Sequence, residues 1–256
     1  MYQILQYIIF LFKATNQHGV HSPFVYDLVT KCFYDKTNYK AYSQLKKYQA
    51  SLLKNKQLIT ITDFGEGSRL KASNTRKIKN ICKTSGTPLH RAKLLYRLVQ
   101  FFKPNNILEL GTSLGIATQA MALGTPSATI TSVEGCPNIS EFAKQQLSDF
   151  HFKNITFQNG EFSEVLPILK TNAWDMVFFD GHHNKTATLS YFETLVEKTH
   201  NDTLFIFDDI YWSKEMTEAW EAIKMHPKVT VTIDTFYWGL VFFRKEQLKE
   251  HFRIRV

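Results

Sequence analysis

A chain of 256 residues with 44% hydrophobic content is long enough for one large domain, or one domain with an extension, around a full core. Its three cysteines, Cys32, Cys82 and Cys136, show neither C-x-x-C spacing nor an even count, which argues against a zinc site or a disulfide framework and fits a reducing cytoplasm. The net charge of +8 is uneven: residues 1–105 hold 18 Lys and Arg against 4 Asp and Glu, residues 106–256 hold 13 against 19. A basic N-terminal part can dock nucleic acid or an acidic partner, but no RNA- or DNA-binding motif accompanies it, and a solvated lysine-rich helical face accounts for it more simply.

The chain opens with a helix over Tyr2 to Ala14. Its apolar run Tyr7 to Phe12 is too short to span a bilayer and lacks the flanks of a signal peptide, so it reads as part of an amphipathic helix. Asn16 to Pro23 is turn-like, and Ser22 before Pro23 has the form of an N-cap opening a helix over Pro23 to Phe33. His18 and His21 lack a third ligand-type neighbour and do not make a metal site. A lysine-rich helix covers Tyr42 to Asn55; Gln57 to Asp63 alternates as a strand does, and Phe64 to Ser68 reads as a loop. Asn74 is placed to cap a short helix over Thr75 to Cys82. The best boundary lies at 84–88, dividing a basic helical extension or lid, 1–85, from a ligand-binding domain, 86–256. A helical stripe over Leu89 to Phe102 stops at Lys103-Pro104.

The chain is organised around Asn106 to Thr118. Ile107 to Leu110 is a buried strand broken only by Glu109; it ends at Gly111, and Gly115 precedes a run of good helix formers. Strand, glycine turn and helix start together aim backbone N–H groups at a ligand. The spacing Glu-x-Gly-x-x-x-Gly, with Thr112 and Ser113 inside it, departs from the dinucleotide fingerprint G-x-G-x-x-G. An acid beside the turn disfavours phosphate and suits a cationic, amino-bearing ligand such as S-adenosylmethionine. The next strand, Ala128 to Val133, ends in Glu134, 23 residues past Gly111, where an acid can accept both hydroxyls of a ribose. A helix over Asn138 to Phe150 and a strand over Ile155 to Gln158 lead to the loop Gly160-Glu161-Phe162, suited to adenine.

The strands Trp174 to Phe179 and Thr203 to Phe207 end in Asp180-Gly181-His182-His183 and Asp208-Asp209. In a parallel sheet these ends share a crevice. Asp180, Asp208 and Asp209 can bind a magnesium-like divalent cation, or serve with His183 as base and substrate anchors without metal. An aspartate capping the helix that starts near Ser213 is the plain alternative. Val229 to Thr235 and Tyr237 to Arg244 read as an antiparallel hairpin.

Glu-Leu-Gly-Thr-Ser-Leu-Gly-Ile-Ala-Thr at 109–118, Val-Glu at 133–134, Phe-Phe-Asp-Gly-His-His at 178–183 and Phe-Asp-Asp at 207–209 resemble the class I S-adenosylmethionine-dependent methyltransferases. Within that class they are most similar to small-molecule O-methyltransferases of the catechol and caffeoyl-CoA type. The resemblance covers Thr84 to the C-terminus. It implies a Rossmann-like, doubly wound, mostly parallel seven-stranded sheet with a C-terminal antiparallel hairpin. It places Glu109, Gly111 and Gly115 about the methionine part of the cofactor, Glu134 on the ribose, and Glu161 with Phe162 near adenine, with Thr112, Ser113, Gly160 and Asp180 also among the cofactor-binding positions. Asp180, His183, Asp208 and Asp209 fall at catalytic positions, the three aspartates at metal-holding ones. Where those enzymes often carry asparagine in the final pair, this chain has Asp209, and its basic N-terminal third has no counterpart in them. The reading is a methyl transfer to a small-molecule acceptor, with monomer or homodimer left open. The alternative is a non-catalytic cofactor-binding module whose basic region holds RNA or a protein partner.

Overall fold

The computed structural model describes residues 1–62, 75–150, 152–169 and 172–256; the loop read at 64–68 and the cap read at Asn74 lie outside them. The chain divides into two compact units, Met1–Tyr34 with Leu166–Val256, and Asp35–Val165. The first unit opens with α1 (Tyr2–Lys13), of which only Phe10 is buried. Thr15, just past α1, bridges Ile254 in parallel, so the chain's beginning is stitched to its end. In α2 (Pro23–Leu28) the Ser22 Oγ accepts the Val25 N–H at 3.4 Å, as the cap predicts. One π-helical turn, Val29–Phe33, continues it.

The second unit runs through α3 (Ala41–Lys54), β1 (Leu58–Thr60), β2 (Thr75–Lys77), α4 (Ile78–Thr84), α5 (Leu89–Phe102), β3 (Asn106–Leu110), α6 (Ile116–Gly124), β4 (Thr129–Glu134), α7 (Pro137–Ser148) and β5 (Ile155–Asn159). A further helix, α8 (Phe162–Leu169), starts in this unit and ends in the other. The helix expected from Thr75 begins only at Ile78, because Thr75 to Lys77 pair antiparallel with β1, which takes up their backbone groups first. β3, β4 and β5 are parallel neighbours in that order, with Ile107 beside Ile130 and Ile130 beside Ile155. Buried Tyr42, Leu45, Tyr48 and Leu52 recur at helical spacing on α3, which packs against α4, α5 and α6. The Tyr48 hydroxyl donates to the Leu114 carbonyl at 2.6 Å, and burial raises its pKa, so it stays a donor.

The first unit resumes with β6 (Met176–Phe179), α9 (Lys185–Val196), β7 (Leu204–Asp208), α10 (Lys214–Met225), β8 (Val231–Asp234), β9 (Trp238–Phe242) and β10 (Glu250–Arg253). Its strand order is β10-β8-β9-β7-β6, with β9 antiparallel to both neighbours and the other pairs parallel. β6 and β7 are buried along their whole length, which is why they read as apolar runs, interrupted only by Asp208 at the end of β7. The architecture is the expected Rossmann-like, mostly parallel α/β fold, with the predicted C-terminal hairpin in β8 and β9. Among the described residues the sheet has one strand more than expected: β10, parallel to β8. The α10 cap is Ser213 itself, whose Oγ accepts the Met216 N–H at 3.1 Å, rather than an aspartate. All three cysteines are free and buried. Among the described residues no helix is long and apolar enough to cross a membrane.

Candidate active site

β3 ends in a turn that only a special backbone can make. Gly111 and Gly115 sit at φ 106° and 74°, and Ser113 between them at 47°. A Cβ on Gly115 would lie 2.8 Å from Leu147 Cδ1, so a side chain there would have to push the tip of Leu147 aside and adopt a left-handed backbone. Glu134, on the last residue of β4, holds this turn: its Oε2 accepts the Ser113 N–H at 2.9 Å and its Oε1 the Cys136 N–H at 3.0 Å. One carboxylate therefore clasps the turns that follow two neighbouring strands. Burial lifts its pKa above the ordinary carboxylate value, against the pull of the N–H groups of Cys136, Ser113 and Gly135. Each oxygen keeps a lone pair for a further donor.

The third strand end joins the same cluster. The Gly160 N–H and the Asn159 side-chain amide both donate to the Glu134 carbonyl, at 3.1 and 2.8 Å. Gly111, Thr112, Ser113, Gly115, Glu134, Gly160 and Glu161 are thus brought to adjacent turns of one unit. Phe162 is not open in a loop, as its neighbours suggested, but buried as the first residue of α8.

Glu109 takes a different place from the one its spacing suggested. It is 0% exposed, and its Oε2 accepts hydrogen bonds from the Thr118 and Ser132 hydroxyls beneath the turn. Burial pushes its pKa up to about 8, so near neutral pH it is mostly an uncharged acid bracing β3, β4 and α6. Its Oε1 is buried without a partner. The carboxylate that meets the turn's N–H groups is Glu134.

In the other unit, β6 and β7 lead into Asp180-Gly181-His182-His183 and Asp208-Asp209. His182 and Asp209 lie at φ 51° and 53°, a conformation that costs energy and often marks a functional turn. His182 Nδ1 is 2.7 Å from the Tyr191 hydroxyl, and the His183 ring lies 6.3 Å from that of Trp212. Asp209 lines a cavity of about 260 Å³ together with Gln3, Ile4, Tyr7, Tyr211, Trp212, Phe236 and Tyr237. Phe236 stacks on Tyr211 at 5.2 Å and meets Tyr7 edge-on at 4.8 Å. The cavity is therefore an aromatic box with one carboxylate. Sequence reasoning missed the part played by α1; its signal was an apolar helix whose Ile4 and Tyr7 stay exposed.

The cation site implied by the resemblance does not assemble. Among the described residues no three His, Cys, Asp or Glu side chains stand close enough to share a metal ion, so Asp180, Asp208 and Asp209 do not form that set. Asp208 is buried at the end of β7, opposite Trp238, whereas the left-handed turn at Asp209 carries that residue to the aromatic cavity.

Residues 108–210 match a family described as a methyltransferase domain. Among solved structures, the chain is similar to an S-adenosylhomocysteine-bound methyltransferase from Podospora anserina, with TM-score 0.60, 12% identity, and coverage of 88% of this chain and 97% of that one. It is also similar to the O-methyltransferase TomG from Streptomyces achromogenes, solved with S-adenosylmethionine, with TM-score 0.58, 16% identity, and coverage of 84% and 95%. An O-methyltransferase from Bacillus cereus, in complex with S-adenosylhomocysteine, gives TM-score 0.54, 16% identity, and coverage of 83% and 95%. At such identities the likeness is one of fold, and it agrees with the domain match. The chain is thus similar in fold to solved methyltransferases, and its residues 108–210 match a methyltransferase domain.

Proposed function

We propose that this protein methylates an oxygen of a small aromatic molecule. The observation that carries the cofactor half is the clasp of Ser113 and Cys136 on Glu134, at 2.9 and 3.0 Å. It leaves a glycine turn without side chains at Gly111 and Gly115, beside a carboxylate with spare lone pairs. That donor set suits a nucleoside whose ribose hydroxyls go to Glu134. The turn at 111–115 would take the amino-acid end, with Gly160 and Glu161 on the adenine side. When bound, S-adenosylmethionine supplies an electrophilic methyl group on its sulfonium sulfur.

The acceptor half rests on the cavity of about 260 Å³, whose Tyr7, Tyr211, Trp212, Phe236 and Tyr237 rings match a flat apolar molecule. Asp209 can accept a hydrogen bond from the acceptor hydroxyl, fixing which oxygen is presented. His183, beside Trp212, is suited to take up the proton that the hydroxyl loses. Asp180 is assigned a positioning role at the end of β6. No metal is proposed.

Titration calorimetry with S-adenosylhomocysteine and with NAD tests the cofactor half, and transfer of labelled methyl to a panel of phenols and catechols tests the acceptor half. Heat with S-adenosylhomocysteine and none with NAD is expected, with label on a phenolic oxygen. Binding without transfer, together with RNA retained by the basic N-terminal region, would instead favour the non-catalytic module.

A further inference from the structure

A second cavity in the unit of Met1–Tyr34 and Leu166–Val256 has no part in the reaction just described. It measures about 280 Å³ and is lined by Lys13, Lys224, Thr232, Asp234, His251, Phe252 and Arg253. Parallel pairing of β10 with β8 sets His251 beside Thr232 and Arg253 beside Asp234. Because strand side chains alternate, these four share one face. α10 brings Lys224 to that face from its last turn. The bridge of Thr15 to Ile254, with the Thr15 N–H donating to the Arg253 carbonyl at 2.8 Å, brings the end of α1 and Lys13.

We infer that this cavity binds a small soluble molecule bearing a phosphate group, whose oxygens are held by Lys13, Lys224 and Arg253. The two carboxylates nearby are already engaged. Asp234 is 3% exposed; its Oδ1 accepts the Phe236 N–H at 2.8 Å, its Oδ2 the Tyr211 hydroxyl at 2.6 Å, and Arg253 Nε stands 3.4 Å from Oδ2. Glu221 pairs with Lys224 at 2.6 Å. Lys13 has no ion-pair partner among the described residues, and the Arg253 pair engages Nε, leaving the planar Nη fork for an oxyanion. His251 Nδ1 lies 2.8 Å from the Thr232 hydroxyl. Burial first, and then Lys224 and Lys249, hold this imidazole below its ordinary pKa against the opposite pull of Glu221. Donors from α1, α10 and β10 converge on one space. That arrangement matches the several acceptor oxygens of a phosphate better than a carboxylate, which the Arg253 fork alone would satisfy. The volume is near the lower end of small-molecule pockets, roughly 300 Å³, so the phosphate would carry a short organic substituent.

The test is calorimetry on the full chain with glycerol phosphate and inorganic phosphate, at ionic strength matched with chloride. Saturable binding of both is expected. Lys13→Met should weaken it about tenfold, with Lys13→Arg restoring it; Lys13 is exposed, so neither variant threatens the fold. Lack of binding to the wild-type chain, or equal affinity in Lys13→Met, would overturn the proposal. So would retention on phosphatidic acid vesicles that glycerol phosphate does not compete. S-adenosylhomocysteine affinity measured on the same variants should not change, so failure here leaves the methyltransferase reading standing.

Discussion

The Tyr211 hydroxyl donates to Asp234 Oδ2 at 2.6 Å, and this one bond joins the wall of the aromatic cavity to the floor of the basic one. Burial and the neighbouring carboxylate raise the phenol's pKa, so the proton stays on the tyrosine. Tyr211→Phe keeps the ring stacked on Phe236 but leaves a buried carboxylate oxygen short of a donor. A loss of about 1–3 kcal/mol is expected, read as a lower urea midpoint with unchanged m-value.

Glu134→Gln preserves size and shape while giving up the charge and turning one acceptor oxygen into an amide donor that meets a backbone N–H. Its affinity for S-adenosylhomocysteine should fall by about tenfold or more, with a modest loss of stability from the weakened clasp. Calorimetric affinity equal to wild type would remove Glu134 from the cofactor site.

Glu109 makes a prediction about pH. Its folded pKa of about 8 lies above the ordinary 4.5, so between these values the folded chain binds more protons than the unfolded one. Its contribution to stability is complete below about pH 4.5, declines as pH rises through that window, and is gone above about pH 8. The decline should approach about 1.4 kcal/mol per pH unit. Glu109→Gln, which cannot titrate, should lack it. Denaturation of both proteins from about pH 5 to 8 measures the difference, and parallel curves would show that Glu109 is charged in the fold.

Asp209→Asn should lose most turnover while S-adenosylhomocysteine still binds, because the residue belongs to the aromatic cavity and not to the turns around Glu134. Wild-type turnover should survive EDTA, since the aspartates do not assemble as ligands. Activity lost on chelation and restored by magnesium would require Asp180, Asp208 and Asp209 to regroup.

Much of the framework was legible because it is written locally. β3, β6 and β7 announce themselves as largely apolar runs, and the interval from Gly111 to Glu134 follows from the length of one strand-helix-strand unit. Features that depend on distant partners were not legible. Glu250-His251-Phe252-Arg253 has one apolar residue in four and becomes β10 only because β8 offers it an edge. α8 was hidden by Pro167 within it, and α9 went unread although Asn184 caps it, accepting the Ala187 N–H at 2.9 Å. The aromatic cavity requires α1, which a bridge from Thr15 to Ile254 ties to the far end of the chain. Glu109 was read as facing the ligand because it stands two residues before Gly111. Its register opposite Ser132 turns it into the interior instead.

The hydroxyl of Tyr48 reaches the Leu114 carbonyl inside the very bend that Glu134 clasps. The lysine-bearing helix is consequently a structural brace for that bend, where the nucleoside is proposed to sit, and not baggage that could be shed. Shortening the chain to begin after residue 85 would uncover the apolar flank of α5 and α6 and strip that carbonyl of its donor. The shortened protein should then lose grip on S-adenosylhomocysteine even though every residue proposed to touch it remains.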